Sequence, residues 1–217
     1  MAQKVNPISF RISNNRTWSS KWFSDNSIYL NYNKLLHEDL IIKKYIVGAF
    51  KKIKFFINEP IIYRTNNLIF IKIKIYHSTR PRRYYKFQSK LIKKIKKKIN
   101  SITSLETSLL IRPAKLVKSI PIYQPSILIQ ILARHYKKGV KRYRWKVKNI
   151  LKKTKKKIKG IKIIGSGRIK GSARARLLKM KWGQVPLNTI NAKIDYATKS
   201  VITKHGVTGF KLWINYK

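Results

Sequence analysis

Residues 128–150 read LIQILARHYKKGVKRYRWKVKNI, and within them Leu128, Leu132, Tyr136, Val140, Tyr143, Val147 and Ile150 recur at steps of three or four. Such steps return each side chain to one face of a helix of about 3.6 residues per turn, so the stretch predicts an amphipathic helix. Gly139 is the expected point of division into two helices. A second stripe consists of Lys137, Lys141, Arg144 and Lys148, with Arg134 and Lys138 beside it. Aromatic residues at helical spacing are more often core than base-stacking platforms, so Tyr136 and Tyr143 are assigned to the core.

On the C-terminal side, strand-like alternation appears at Ile161 and Ile163, at Ile190, Ala192, Ile194 and Tyr196, and at Phe210, Leu212 and Ile214. The expectation is a set of helices packed on one face of an antiparallel sheet. Towards the N-terminus, Leu35, Ile42, Ile46 and Phe50 fall on one face of a helix over about residues 33–50, ending near Gly48. Ile53, Phe55 and Ile57 suggest a short strand, and Ile69, Ile71, Ile73 and Ile75 alternate with Phe70, Lys72, Lys74 and Tyr76 in a longer one. Helical period returns over 89–99, where Leu91, Ile92, Ile95 and Ile99 oppose a lysine face, and a third strand is expected at about 105–111. Pro113, Pro121 and Pro125 mark the domain boundary. The fold class is therefore α+β, with a basic segment at 1–24, a mixed domain at 25–112 and a second domain at 113–217.

Electrostatics decide the class of partner. The 217 residues carry 52 Lys and Arg against 6 Asp and Glu, a formal net charge of +46. A compact state with that charge repels itself and favours polyanions, of which nucleic acid offers the most phosphate to neutralise. Apolar residues make up 43% and aromatics 12%, which separates the chain from disordered basic tails. From 107 through 194 there is no acidic side chain, yet that stretch holds 25 Lys and Arg. A charged helix stripe is ordinarily a solvated face laced with ion pairs, but here the acidic partners are missing. Phosphate contact is the expected role of the stripe, including Arg144 and Lys148.

Other function classes find little support. The chain has no cysteine, which excludes disulfides and thiolate chemistry. Its longest uncharged run, between Lys118 and Arg134, contains Pro121 and Pro125 and is shorter than the about 20 apolar residues of a spanning helix. Among the acids, Glu38 and Asp39 are the only close pair, and adjacent helix residues do not share a face. His37, His77, His135 and His205 are isolated, without metal-ligand spacing. Gly165, Gly167 and Gly171 lack the spacing and the downstream acid of a dinucleotide loop and are read as a tight turn between strands. No catalytic residue, metal or cofactor is expected.

Two segments carry a family resemblance. The opening MAQKVNPISFRI followed by WSSKWF resembles the start of the small-subunit ribosomal protein three family. Residues 160–214, GIKIIGSGRIKGSARARLLKMKWGQVPLNTINAKIDYATKSVITKHGVTGFKLWI, resemble that family's C-terminal domain nearly throughout. The resemblance implies a type II KH domain followed by a C-terminal α+β domain, in a protein of the small-subunit head that lines the mRNA entry channel. On matching positions it implies mRNA contact by Lys137, Lys138 and Lys141. It also implies rRNA contact by Gln3, Lys4, Asn6, Arg11, Arg168, Arg174, Arg176 and Lys179. Neighbours would be small-subunit proteins ten and fourteen, with no self-association. The family's KH loop carries Gly-x-x-Gly where this chain has Lys86-Phe87-Gln88-Ser89. Contact through Arg82, Arg83, Tyr84 and Lys86 is expected to replace that loop's clamp on RNA.

The excess of 39 lysines over 13 arginines, with abundant Ile and Asn, fits translation from an AT-rich organellar genome. The family-like start without an added presequence fits synthesis inside the organelle. A mitochondrion is the expected location and a plastid the alternative. The rival readings are an organellar RNA chaperone or maturation factor working off the ribosome, and a nuclease or DNA lyase using a lysine.

Overall fold

The computed structural model describes residues 5–24, 32–52, 55–65, 67–76, 82–103, 105–113, 124–154 and 157–217, with backbone alone at 52, 82–90 and 113. It divides into two compact units, Trp18–Ala114, and Met1–Thr17 together with Lys115–Lys217. Both are mixed α and β, with four α-helices and two sheets among the described residues. The opening segment is thus shared: its residues to Thr17 go with the C-terminal unit, and those from Trp18 go with the other.

The first unit contains β1 (Ser20–Lys21), α1 (Tyr32–Lys52), β2 (Phe56–Ile57), β3 (Ile61–Arg64), β4 (Leu68–Tyr76), α2 (Arg82–Thr103) and β5 (Glu106–Pro113). β4 is its central strand. On one edge it pairs antiparallel with β2 and β3, and on the other it pairs parallel with β5. The parallel pairing requires a crossover, which α2 supplies. Alternation along β4 buries Ile69, Ile71, Ile73 and Ile75 against Ile42, Ile46 and Phe50 of α1 and Ile95 and Ile99 of α2. The predicted faces of α1 and β4 are those observed.

Two boundaries differ from expectation. Gly48 does not stop α1, which runs to Lys52; the glycine sits exposed with no neighbour within 4 Å of a Cβ placed there. Lys86–Ser89 is not a loop, because α2 runs unbroken from Arg82 to Thr103. With both glycines replaced by residues that tolerate helix, nothing local interrupts the backbone.

Arg64 closes this unit. Its Nε and Nη2 donate to Asp39 Oδ1 at 2.9 and 2.6 Å, and its Nη1 donates to Glu38 Oε2 at 2.7 Å. The indole N–H of Trp22 donates to the other Asp39 oxygen at 2.8 Å. One planar guanidinium fork therefore reaches two adjacent carboxylates that do not face each other on the helix.

The second unit contains α3 (Pro125–Lys137), α4 (Val140–Thr154), β6 (Ile158–Gly167), β7 (Arg176–Gly183), β8 (Ile194–Thr203) and β9 (Gly206–Tyr216). Its sheet is antiparallel in the order β7-β6-β9-β8, and α3 and α4 bury their apolar stripes on one face of it. Tyr136, Tyr143 and Phe210 meet at the centre, with ring centroids 4.8 to 5.7 Å apart. Both tyrosines are core, as expected. β8 begins only at Ile194, so Ile190 and Ala192 lie in the preceding turn and not in a strand.

That turn is held by Arg11. The side chain is 0% exposed. Its Nε donates to the Ala192 carbonyl at 3.0 Å and its Nη1 to Pro7 at 3.0 Å, while Nη2 faces the carbonyls of Pro186, Leu187 and Thr189 at 3.4, 3.0 and 2.7 Å. Arg16 pairs with Asp195, and the Asn15 amide donates to the Ile190 carbonyl at 3.1 Å. The expectation that Arg11 contacts rRNA is thereby corrected: every guanidinium nitrogen is used inside the protein. Arg11→Ala leaves these carbonyls without a donor and is expected to lower the stability of this unit by about 1–3 kcal/mol in denaturant unfolding. An unchanged midpoint would show that the buried fork contributes nothing.

Candidate nucleic-acid interface

Gly139 sets the geometry of the site. Its φ of +129° is a conformation L side chains rarely adopt, and it separates α3 from α4. The Gly139 N–H returns to the Tyr136 carbonyl at 2.9 Å and the Lys138 N–H to that of His135 at 3.2 Å, closing the end of α3. Lys137 and Lys138 stand at the negative end of the α3 dipole, which accounts locally for cations there. Lys141 and Arg142 stand in the first turn of α4, where the dipole opposes positive charge and no acid compensates. The stripe read from sequence is therefore split over two helices, with Lys137 on α3 and Lys141, Arg144 and Lys148 on α4.

The helix junction forms one wall of a cleft of about 770 Å³. Tyr136 through Arg142 line that wall; Arg168 and Lys170, from the turn after β6, and Ile202 through His205, at the β8–β9 hairpin, line the rest. Gly171, with φ of +79°, lets the turn approach the hairpin, since a Cβ there would lie 2.9 Å from His205 Cε1. Lys137, Lys138, Lys141, Arg142, Arg168, Lys170 and Lys204 are exposed, and no acidic side chain is among the lining residues. Asp195, the one acidic side chain in the sequence of this unit, is held by Arg16. Clustered cations without internal counter-charge raise the local potential and attract an anion of extended shape.

The cleft brings together the three expected mRNA residues, Lys137, Lys138 and Lys141, with one expected rRNA residue, Arg168. The other rRNA candidates do not gather there. Arg144 and Lys148 are exposed along α4, Arg174 follows the glycine turn, and Arg176 begins β7. Lys179 alternates with the core-facing Leu178 and Met180 and so points away from the helices. Asn6 is exposed and accepts the Ile8 N–H at 3.0 Å. Gln3 and Lys4 lie outside the described residues, as do the side chains of Arg82 and Arg83. Sequence reading missed Arg142, Lys170, Lys204 and His205. The Lys204-His205-Gly206 run is a hairpin-turn signal, but which surface that turn faces follows only from the register of β8 with β9.

Fold and cleft define a basic two-unit α+β protein with an acid-free cleft walled by exposed cations in its C-terminal unit. The family model described as "Ribosomal protein S3, C-terminal domain" matches residues 132–214, covering both the helix junction and the hairpin. Proteins named small ribosomal subunit protein uS3 match nearly the whole chain. That of Rhizobium leguminosarum bv. trifolii is 34% identical over 99% of this chain and 83% of its own length. That of Rhizobium meliloti is 35% identical over 99% and 85%, and that of Borrelia hermsii 34% identical over 99% and 74%. The chain belongs to the uS3 family.

His135, in the last turn of α3, reports on this field. Burial pushes its pKa below the ordinary 6.5, and the charges of Lys146, Lys138, Arg134 and Arg142 push it the same way. Below pH 6.5 the unfolded chain takes up a proton that the folded chain resists, so this group makes stability fall as pH drops from there towards the folded value. An NMR titration is expected to give a His135 midpoint below 6.5 in the free chain, rising when a polyanion neutralises the neighbouring cations. A free-chain midpoint at or above 6.5 would contradict this electrostatic picture.

Proposed function

We propose that this chain is a structural constituent of the small ribosomal subunit, bound to small-subunit rRNA in the head and lining the path of incoming mRNA during organellar translation. The carrying observation is the acid-free cleft, whose helix-junction wall presents Lys137, Lys138 and Lys141, in a member of the uS3 family. Phosphate contacts of this kind position an RNA without reading its sequence, which suits a surface past which every message must move. Arg144, Lys148, Arg168, Arg174, Arg176 and Lys179 are exposed cations available for rRNA phosphate.

In this reading the first unit is a type II KH-like domain whose contacts come from basic side chains, Arg82 and Arg83 among them, because the glycine loop is replaced by continuous helix. Its neighbours are small-subunit proteins ten and fourteen, and it is present in one copy. Lysine, isoleucine and asparagine usage supports a mitochondrial ribosome. Sedimentation of organelle lysate on a sucrose gradient at moderate salt is expected to recover the protein stoichiometrically in small subunits and monosomes. A peak of free protein, or of heterogeneous RNA-bound protein, would overturn the structural-component reading.

A further inference from the structure

α4 buries Tyr143, Val147, Ile150 and Thr154. At about 100° per residue, Trp145 lies about 200° round from Tyr143, on the outermost line of the helix. It is 63% exposed. The fold does not ask for an indole there, since any good helix former would serve at a solvent-facing position. Its neighbours on the helix surface are largely cationic: Lys141 is four residues back and Lys148 three ahead, both on the same side of the helix, with Arg142 and Arg144 flanking and the neutral Asn149 four ahead. Lys141 and Arg142 also line the cleft. Trp145 therefore stands one turn, about 6 Å, further along α4 from the cleft wall.

An occupant of this surface must satisfy a large aromatic face and several positive charges together. An apolar protein pocket closing on the indole would strip water from those cations without replacing it, a heavy desolvation cost. A nucleotide supplies both requirements, a π-face for the indole and a phosphate for the lysines. We propose that Trp145 is a stacking platform for an unpaired base of a single RNA strand that leaves the cleft along α4. This rests on the reading of the cleft as an RNA site and adds that the strand there is unpaired, because a base within a duplex has no free face to offer.

The test compares the affinity of the full chain for a labelled oligouridine and for a fully paired, blunt-ended RNA duplex of equal charge, by fluorescence anisotropy over a series of salt concentrations. Trp145→Ala is expected to weaken oligouridine binding by about 5- to 100-fold and to leave duplex binding unchanged. The slope of log affinity against log salt should also stay constant, because no phosphate contact is removed. Trp145→Phe should retain most of the affinity. Equal losses for both ligands, an altered slope, or no loss would overturn the stacking role. The triple variant K137A/K138A/K141A, measured alongside, should weaken both ligands and flatten the slope by about two units for three lost phosphate contacts. If the triple variant acts and Trp145→Ala does not, stacking alone fails. If the triple variant has no effect, the cleft is not an RNA site and the platform falls with it.

Discussion

Scarcity of negative charge governs this molecule. With 6 acidic side chains against 52 basic ones, the chain cannot neutralise itself. Four of its carboxylates are placed where a covalently distant part of a unit must be held. Glu38 and Asp39 clasp Arg64 and so tie α1 to the end of β3. Glu59 lies 3.8 Å from Lys43 of α1. Asp195 holds Arg16. What remains is a large surplus of cations whose repulsion opposes compaction and is relieved by a polyanion, so binding and stability are one linked equilibrium.

Arg11 shows how a cation is used when no carboxylate is at hand. A fork of N–H groups surrounded by carbonyls substitutes for an ion pair, and the dipoles of Pro7, Leu187, Thr189 and Ala192 share the charge. The arrangement also joins the two segments that carry the family resemblance. The opening segment and the Val185-Pro186-Leu187 stretch are one structural feature, folded together around a single side chain. The expectation of rRNA contact at Arg11 rests on the family resemblance, and four of the five carbonyls that make its burial tolerable are supplied by residues nearly the whole chain away.

Period was legible, and convergence was not. Leu35, Ile42, Ile46 and Phe50, the four isoleucines of β4, and the Tyr136 and Tyr143 pair all lie inward because their spacing leaves one consistent face. β7 escaped notice because Arg176–Gly183 is an edge strand with few fully buried side chains. β3 escaped because four residues give too little alternation to register. In the candidate site, the lysines of the α3–α4 junction could be named from one local segment. The opposing wall depends on a hairpin tip and a glycine turn meeting in space, a fact held in strand register and in no single stretch of sequence.

The central claim is that cations lacking an internal partner face RNA phosphate while paired ones serve the fold, and lysine-reactivity footprinting of the full chain, free and in small subunits with bound mRNA, tests it most directly. The account predicts strong protection in the subunit at Lys137, Lys138, Lys141, Lys148, Lys170 and Lys204. Lys43, held by Ser19 at 2.8 Å and close to Glu59, should be little changed. Protection spread evenly over paired and unpaired lysines, or absent from the cleft, would contradict it.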